Sequence, residues 1–184
     1  MLNRVFLLTF SIVLAVGCAK APEPIWDATP YTLAFGGLPE PELPADNPLT
    51  EQGVKLGRML FYETRLSGDN SMACASCHKQ ENAFTDTNRF SVGIDGLEGH
   101  RQAMSAVNML WNTNGYFWDG RVQKLRDQSI MPIQDPLEMN ETMENVVEKL
   151  EQDTLYTHQF FRAFGSENIS SYRIGLALEQ FMNS

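Results

Sequence analysis

Residues 72–84 read MACASCHKQENAF, and this stretch decides how the rest of the chain is read. Two of the three cysteines, Cys74 and Cys77, and one of the three histidines, His78, fall within five consecutive positions. On a helix, a Cys-x-x-Cys-His run sets two thiols one turn apart, where both can add to the vinyl groups of a haem. The adjacent imidazole then reaches the iron from the same side. Ser71 is placed to cap the short helix that carries them. Two other chemistries use a Cys-x-x-Cys pair. A thioredoxin-like dithiol wants a βαβ surround, and half of a zinc site needs another cysteine or a histidine pair. No such strand pattern is present, and His100 and His158 are isolated in the sequence, so c-type haem attachment is the reading that stands.

Working outward, the chain begins MLNRVFLLTFSIVLAVGCAK. A polar start with Arg4, an apolar run from Val5 to Val16 and small residues before Cys18 have the layout of a bacterial export signal, too short for a comfortable membrane span. The LAVGC ending makes residues 1–17 a lipoprotein-type signal and Cys18 the lipidated residue. A plain secretory peptide cut near Ala19 to Ala21 is the alternative. Either way the mature chain is expected in the periplasm, touching the membrane only through a lipid anchor. A lipidated Cys18 leaves Cys74 and Cys77 as the remaining thiols, which is not a disulfide scaffold. The net charge of −9 argues against nucleic acid, whose phosphates would be repelled.

Seven of the nine prolines lie between Pro22 and Pro48, so residues 18–47 read as an extended arm, with Trp26, Tyr31 and Phe35 packing part of it down. Residues 48–184 form the domain. Thr50 caps a helix whose inner face holds Gly53, Leu56 and Leu60, flanked by Lys55 and Arg58. A second helix is expected from Val122 to Ile130, stopping near Pro132. A third has Asn140 as cap and Met143, Val146, Val147 and Leu150 on one face. The same spacing recurs at Thr157, Phe160, Phe161 and Phe164, with Gly165 as the stop. Ser170 caps a last helix, stapled by Ile169 and Ile174, with Ala177, Leu178 and Phe181 on its apolar face. That helix runs to Ser184 without a stop signal, so the sequence reads as ending within its architecture. With no convincing strands, the class is mainly α.

The segment LGRMLFYETRLSGDNSMACASCHKQENAFTD closely resembles the N-terminal haem domain of the bacterial di-haem cytochrome c peroxidases and the related methylamine-utilisation di-haem enzymes. The likeness continues through FSVGIDGLEG, SAVNMLWNTNGYFWDGR and DQSIMPIQDPLEM, covering about residues 49 to 145. It implies a cytochrome-c-like helical domain carrying one covalent haem c. By the resemblance, His78 is the proximal ligand of the peroxidatic haem, Gln128 and Glu138 line its distal pocket, and Trp118 stands between the two haems of the full enzyme. Elementary chemistry agrees: peroxide must lose a proton from its near oxygen and gain one on the far oxygen before the O–O bond breaks, which suits a carboxylate. Gln128, neutral and able to donate and accept, can orient it. Taken without the resemblance, Glu138 reads as a solvated loop carboxylate, Trp118 as core packing, and Asp119 with Arg121 as a buried structural ion pair.

The sequence departs from the family pattern in three places. Ile94 stands where many of these peroxidases carry a second, distal histidine, so the haem is expected open, with His100 as the residue that could swing in through the glycine-rich loop. Gln102 stands where the family has an asparagine ligating calcium, and its amide is one methylene longer. The C-terminal domain of the family brings its own Cys-x-x-Cys-His haem, and this sequence has no second motif. The reading is a peroxidase domain that reduces hydrogen peroxide with electrons from a small cytochrome or cupredoxin. It works with a companion C-terminal haem domain, in a full-length protein for which the resemblance allows a homodimer. The rival reading is a single-haem electron carrier with a methionine such as Met104 as sixth ligand.

Overall fold

Thr50 marks the change of character in the chain. Its backbone is extended and its hydroxyl accepts the Gly53 N–H at 3.0 Å, which starts helix α1, Glu51–Phe61. The structure, a computed structural model, describes residues 23–184, so the export signal and Cys18 lie outside the described residues. After α1 come the short α2 (Cys74–Cys77), α3 (Leu125–Ser129), α4 (Met131–Gln134), α5 (Met143–Glu151), α6 (Thr154–Phe164) and α7 (Ser171–Met182). Residues 78–124 are mostly loop, with single 3-10 turns at Gln80–Asn82 and Met109–Trp111. Among the described residues there is no strand, only isolated bridges such as Lys79 with Thr85 and Tyr116 with Val122. The architecture is mainly α, and among the described residues no helix is long and apolar enough to cross a membrane.

The core lies between α1, α6 and α7, with α5 against one side. Leu56, Leu60, Val146, Leu150, Phe160, Ile174, Ala177 and Leu178 have lost all measurable exposure. Each large side chain of this set stabilises the fold by about 1.5–3 kcal/mol. Helices α1 and α7 touch backbone to backbone, because a Cβ at Gly57 would lie 1.9 Å from the Ala177 carbonyl oxygen. That approach brings the Phe61 and Phe181 rings to 5.2 Å.

A buried polar knot ties the proline-rich arm to this body. Arg126, 4% exposed, meets Glu179 at 2.8 Å and forks onto Asp46 at 2.8 and 3.0 Å. Asn47 donates to Glu179 at 2.7 Å and to the Leu176 carbonyl at 3.0 Å, while Gln180 donates to Asn47 at 2.8 Å. Further back, the Asp27 N–H donates to the Arg162 carbonyl at 3.0 Å, and Trp26 packs over Gly165.

Several local expectations need correction. The helix after FWDGR starts at Leu125 rather than Val122, and Pro132 opens α4 instead of ending a helix, since proline fits the first turn where its missing N–H has no partner. Thr142, not Asn140, caps α5 by accepting from Asn145, and Asn140 sits in the left-handed region at φ 43°. The buried face of α6 is Tyr156, Gln159, Phe160 and Ala163, while Thr157, Phe161 and Phe164 are only partly buried. The face turns because its polar members find partners: Tyr156 donates to Glu63 at 2.8 Å and Gln159 to the Gln52 side chain at 3.0 Å. Ser170 and Gly165 act as expected at the ends of α7 and α6.

Candidate active site

The Cys74–His78 stretch is folded by its own polar neighbours. Ser71 does not cap α2. It turns back to Asp69, whose carboxylate accepts its N–H at 2.9 Å and its hydroxyl at 2.6 Å. The cap is Ala73, whose N–H donates to the Ser76 hydroxyl at 3.1 Å. One helical turn then closes with His78 N–H on the Cys74 carbonyl at 2.9 Å. The turn sets Cys74, Cys77 and His78 together in the lining of a cavity. Both thiols are free. Burial pushes the Cys74 thiol up to about 12 and raises that of Cys77.

His78 Nδ1 lies 3.0 Å from the Phe84 carbonyl oxygen. A donor at Nδ1 leaves Nε2 as the lone-pair nitrogen. Burial lowers the imidazole pKa, which keeps the ring neutral, the form that ligates metal. The Phe61 ring stands 6.2 Å from the His78 ring.

The opposite elements bring Gln128 from α3 and Glu138 from the turn between α4 and α5 to the same cavity. Glu138 is held through its backbone, which donates to the Asp135 carbonyl at 3.0 Å and accepts from Ile94 at 2.9 Å. Glu138 borders the cavity and is also exposed, as the reading of a loop carboxylate expected. Partial desolvation by the surrounding protein raises its pKa, the Asp135 charge adds to the rise, and Arg121 opposes it. The largely apolar wall and the two thiols beside an imidazole fit a covalently held haem.

Trp118 is not part of this wall. It is 60% exposed, against the core-packing reading, and its indole N–H donates to the Gln102 carbonyl at 2.9 Å. Its neighbours Tyr116 and Phe117 line the cavity instead, Phe117 at a left-handed φ of 61°. Asp119 and Arg121 pair at 2.9 Å but are both exposed, and Arg121 stacks over Phe117. Ile94 lies beside the cavity through its backbone, while Val92 and Gly93 form that part of the wall. His100 is exposed, and neither it nor His158 lines the cavity. Met104 does line it, beside His78. The Gln102 amide nitrogen donates to the Asp86 carbonyl at 3.2 Å, which leaves its side-chain oxygen as the atom a cation could use. Among the described residues no group of three or more His, Cys, Asp or Glu is arranged to hold a metal ion. Tyr116 and Phe117 went unread because only a loop bend brings them inward.

Comparison with known proteins agrees with this geometry. The sequence model of the family described as di-haem cytochrome c peroxidase matches residues 51–184. A methylamine utilization protein MauG of Methylorubrum extorquens is 38% identical over 142 residues, covering 77% of this chain and 40% of that protein. The MauG of Methylophilus methylotrophus is 30% identical over 174 residues, covering 94% and 52%. The cytochrome c peroxidase Ccp of Escherichia coli is 34% identical over 137 residues, covering 72% and 29%. Among solved structures, a MauG-like protein associated with microbial copper homeostasis superposes with a TM-score of 0.76 at 34% identity, covering 83% of this chain and 46% of that one. The chain thus spans about half, or less, of the length of these relatives. A Cys-x-x-Cys-His turn that shares one cavity with a glutamine and a carboxylate, under a family model that covers residues 51–184, makes the chain a member of the di-haem cytochrome c peroxidase family.

Proposed function

We propose that this chain is the peroxidatic haem domain of an exported enzyme that reduces hydrogen peroxide to water. Its electrons come from a small cytochrome or cupredoxin through a companion haem domain. The observation that carries this reading is that Cys74, Cys77 and His78 share one cavity with Gln128 and Glu138. Cys74 and Cys77 would hold the haem through thioether bonds and His78 Nε2 would ligate its iron, supplying a redox-active centre at which peroxide can be bound and reduced.

Glu138 is the proton carrier. Its carboxylate oxygen takes the proton from the near peroxide oxygen and returns it to the far one, and a carboxyl with a raised pKa gives up that proton only with reluctance between the two acts. The neutral Gln128 amide orients the peroxide without competing for the proton. Phe61, Phe117 and Leu137 give the cavity an apolar wall beside these groups. Trp118, outside the cavity wall, is the residue through which an electron from the companion domain would pass. Export to the periplasm and lipidation at Cys18 belong to the same proposal.

The test is to produce the chain in a host with c-type maturation machinery, denature it and extract with acid acetone. Haem should stay with the polypeptide, and should be lost when Cys74 and Cys77 are both changed to Ala. Haem that extracts freely from the unaltered protein refutes the reading. The ferric absorption spectrum separates the rival electron carrier, since a methionine-ligated haem is low-spin and an open one high-spin.

A further inference from the structure

His78 is steered by a carbonyl that itself stands in an unfavourable place. Ala83 and Phe84 are consecutive non-glycine residues at φ 56° and 55°, a conformation that L-residues adopt rarely and almost never in succession. Phe84 must take it for its carbonyl to face Nδ1 of His78 at 3.0 Å. Segment 103–106 holds the pair there. The Ser105 hydroxyl donates to the Ala83 carbonyl at 2.6 Å, the Ala106 N–H to the Phe84 carbonyl at 3.1 Å, and the Thr85 hydroxyl to the Ala103 carbonyl at 2.5 Å. Phe84 O thus receives both Ala106 and His78. The other end of the segment is fixed at the surface, where the Gln102 carbonyl accepts the Trp118 indole and the Gln102 amide donates to Asp86.

We propose that residues 102–106 are a strap that sets how strongly His78 binds iron, with Ser105 as its positioning residue and the Trp118–Gln102 hydrogen bond as its outer anchor. The inference rests on the haem reading above. A well-aligned Nδ1–H donor to a fixed carbonyl makes Nε2 a stronger electron donor, which favours ferric over ferrous iron. A strap loosened at either end lets the Ala83–Phe84 pair relax and turns that carbonyl away. What touches Trp118 at the surface is thereby felt at the iron ligand, through one continuous set of hydrogen bonds.

The experiment uses the haem-loaded protein and its Ser105→Ala, Thr85→Val and Ser105→Thr variants. It reads the iron–histidine stretching frequency of the ferrous protein and the midpoint potential, neither of which a merely structural role would move at intact fold and haem content. Ser105→Ala should lower the stretching frequency and raise the ferrous-to-ferric ratio at fixed potential three- to tenfold, tenfold being about 59 mV for one electron. Thr85→Val should move both in the same direction, and Ser105→Thr should restore them. Trp118→Phe, which removes the indole donor, should give a smaller shift of the same sign. Unchanged frequency and potential in haem-loaded Ser105→Ala or, where that variant does not load, in Thr85→Val overturn the strap alone. Absence of covalent haem from the unaltered protein overturns the haem reading and the strap with it.

Discussion

Glu138 is the residue whose behaviour can be predicted with a sign. Partial desolvation and Asp135 raise its pKa and Arg121 lowers it, so the acid limb of the peroxide reaction should lie above the ordinary carboxylate value, near 4.3. Asp135→Asn removes a negative neighbour while keeping the side-chain oxygen that accepts from Leu137 N–H, and should move the limb to lower pH. Arg121→Gln should move it to higher pH. Glu138→Gln should slow peroxide consumption by roughly 10²- to 10⁴-fold, with Gln128→Ala costing less. Stopped-flow rates across pH decide the matter: a limb that stays put in Glu138→Gln belongs to another group. At this scale the sequence was uneven. The Cys-x-x-Cys-His cluster speaks for itself, because its spacing is its chemistry. Glu138 and Gln128 were legible only through family resemblance, since neither carries a local sign that a turn will face a cavity. Phe84 and Phe117 needed left-handed backbone that no side chain announces.

Among the elements, the α1–α7 crossing is the most exacting. Gly57→Ala should destabilise the fold by about 1–3 kcal/mol or more, because the Ala177 carbonyl that the new methyl meets is backbone and cannot turn aside. Urea unfolding measures the loss. Haem content should fall as well, since Phe61, Leu178 and Met182 from these two helices line the cavity. Helices α1 and α7 were legible because periodicity and caps agree, as at Thr50 and Ser170. Errors arose where one residue type serves two ends of an element. Pro132 starts a turn as readily as it stops one, and Asn140 and Thr142 are both capable caps, separated only by which one the loop bends left-handed. The rotated face of α6 had its cause far away, in Glu63 and Gln52.

For the whole molecule, the knot around Arg126 decides whether arm and body move together. Glu179→Ala leaves Arg126 buried with only the half-exposed Asp46 as ionic partner, and should cost about 3–5 kcal/mol in denaturant unfolding. Limited proteolysis should then cut between residues 30 and 46, where the unaltered protein resists.

The clasp between Asp27 and Arg162, with Trp26 lying over Gly165, also fixes a leash. Asp27 lies nine positions after Cys18, with eight residues between them. Even drawn out straight that stretch reaches about 30 Å. With a lipid on Cys18, the end of α6 could stray no further than that from the bilayer, roughly one domain diameter. The protein would then patrol a thin shell of periplasm over one patch of membrane, meeting donors that share the surface far more often than those diffusing in the bulk.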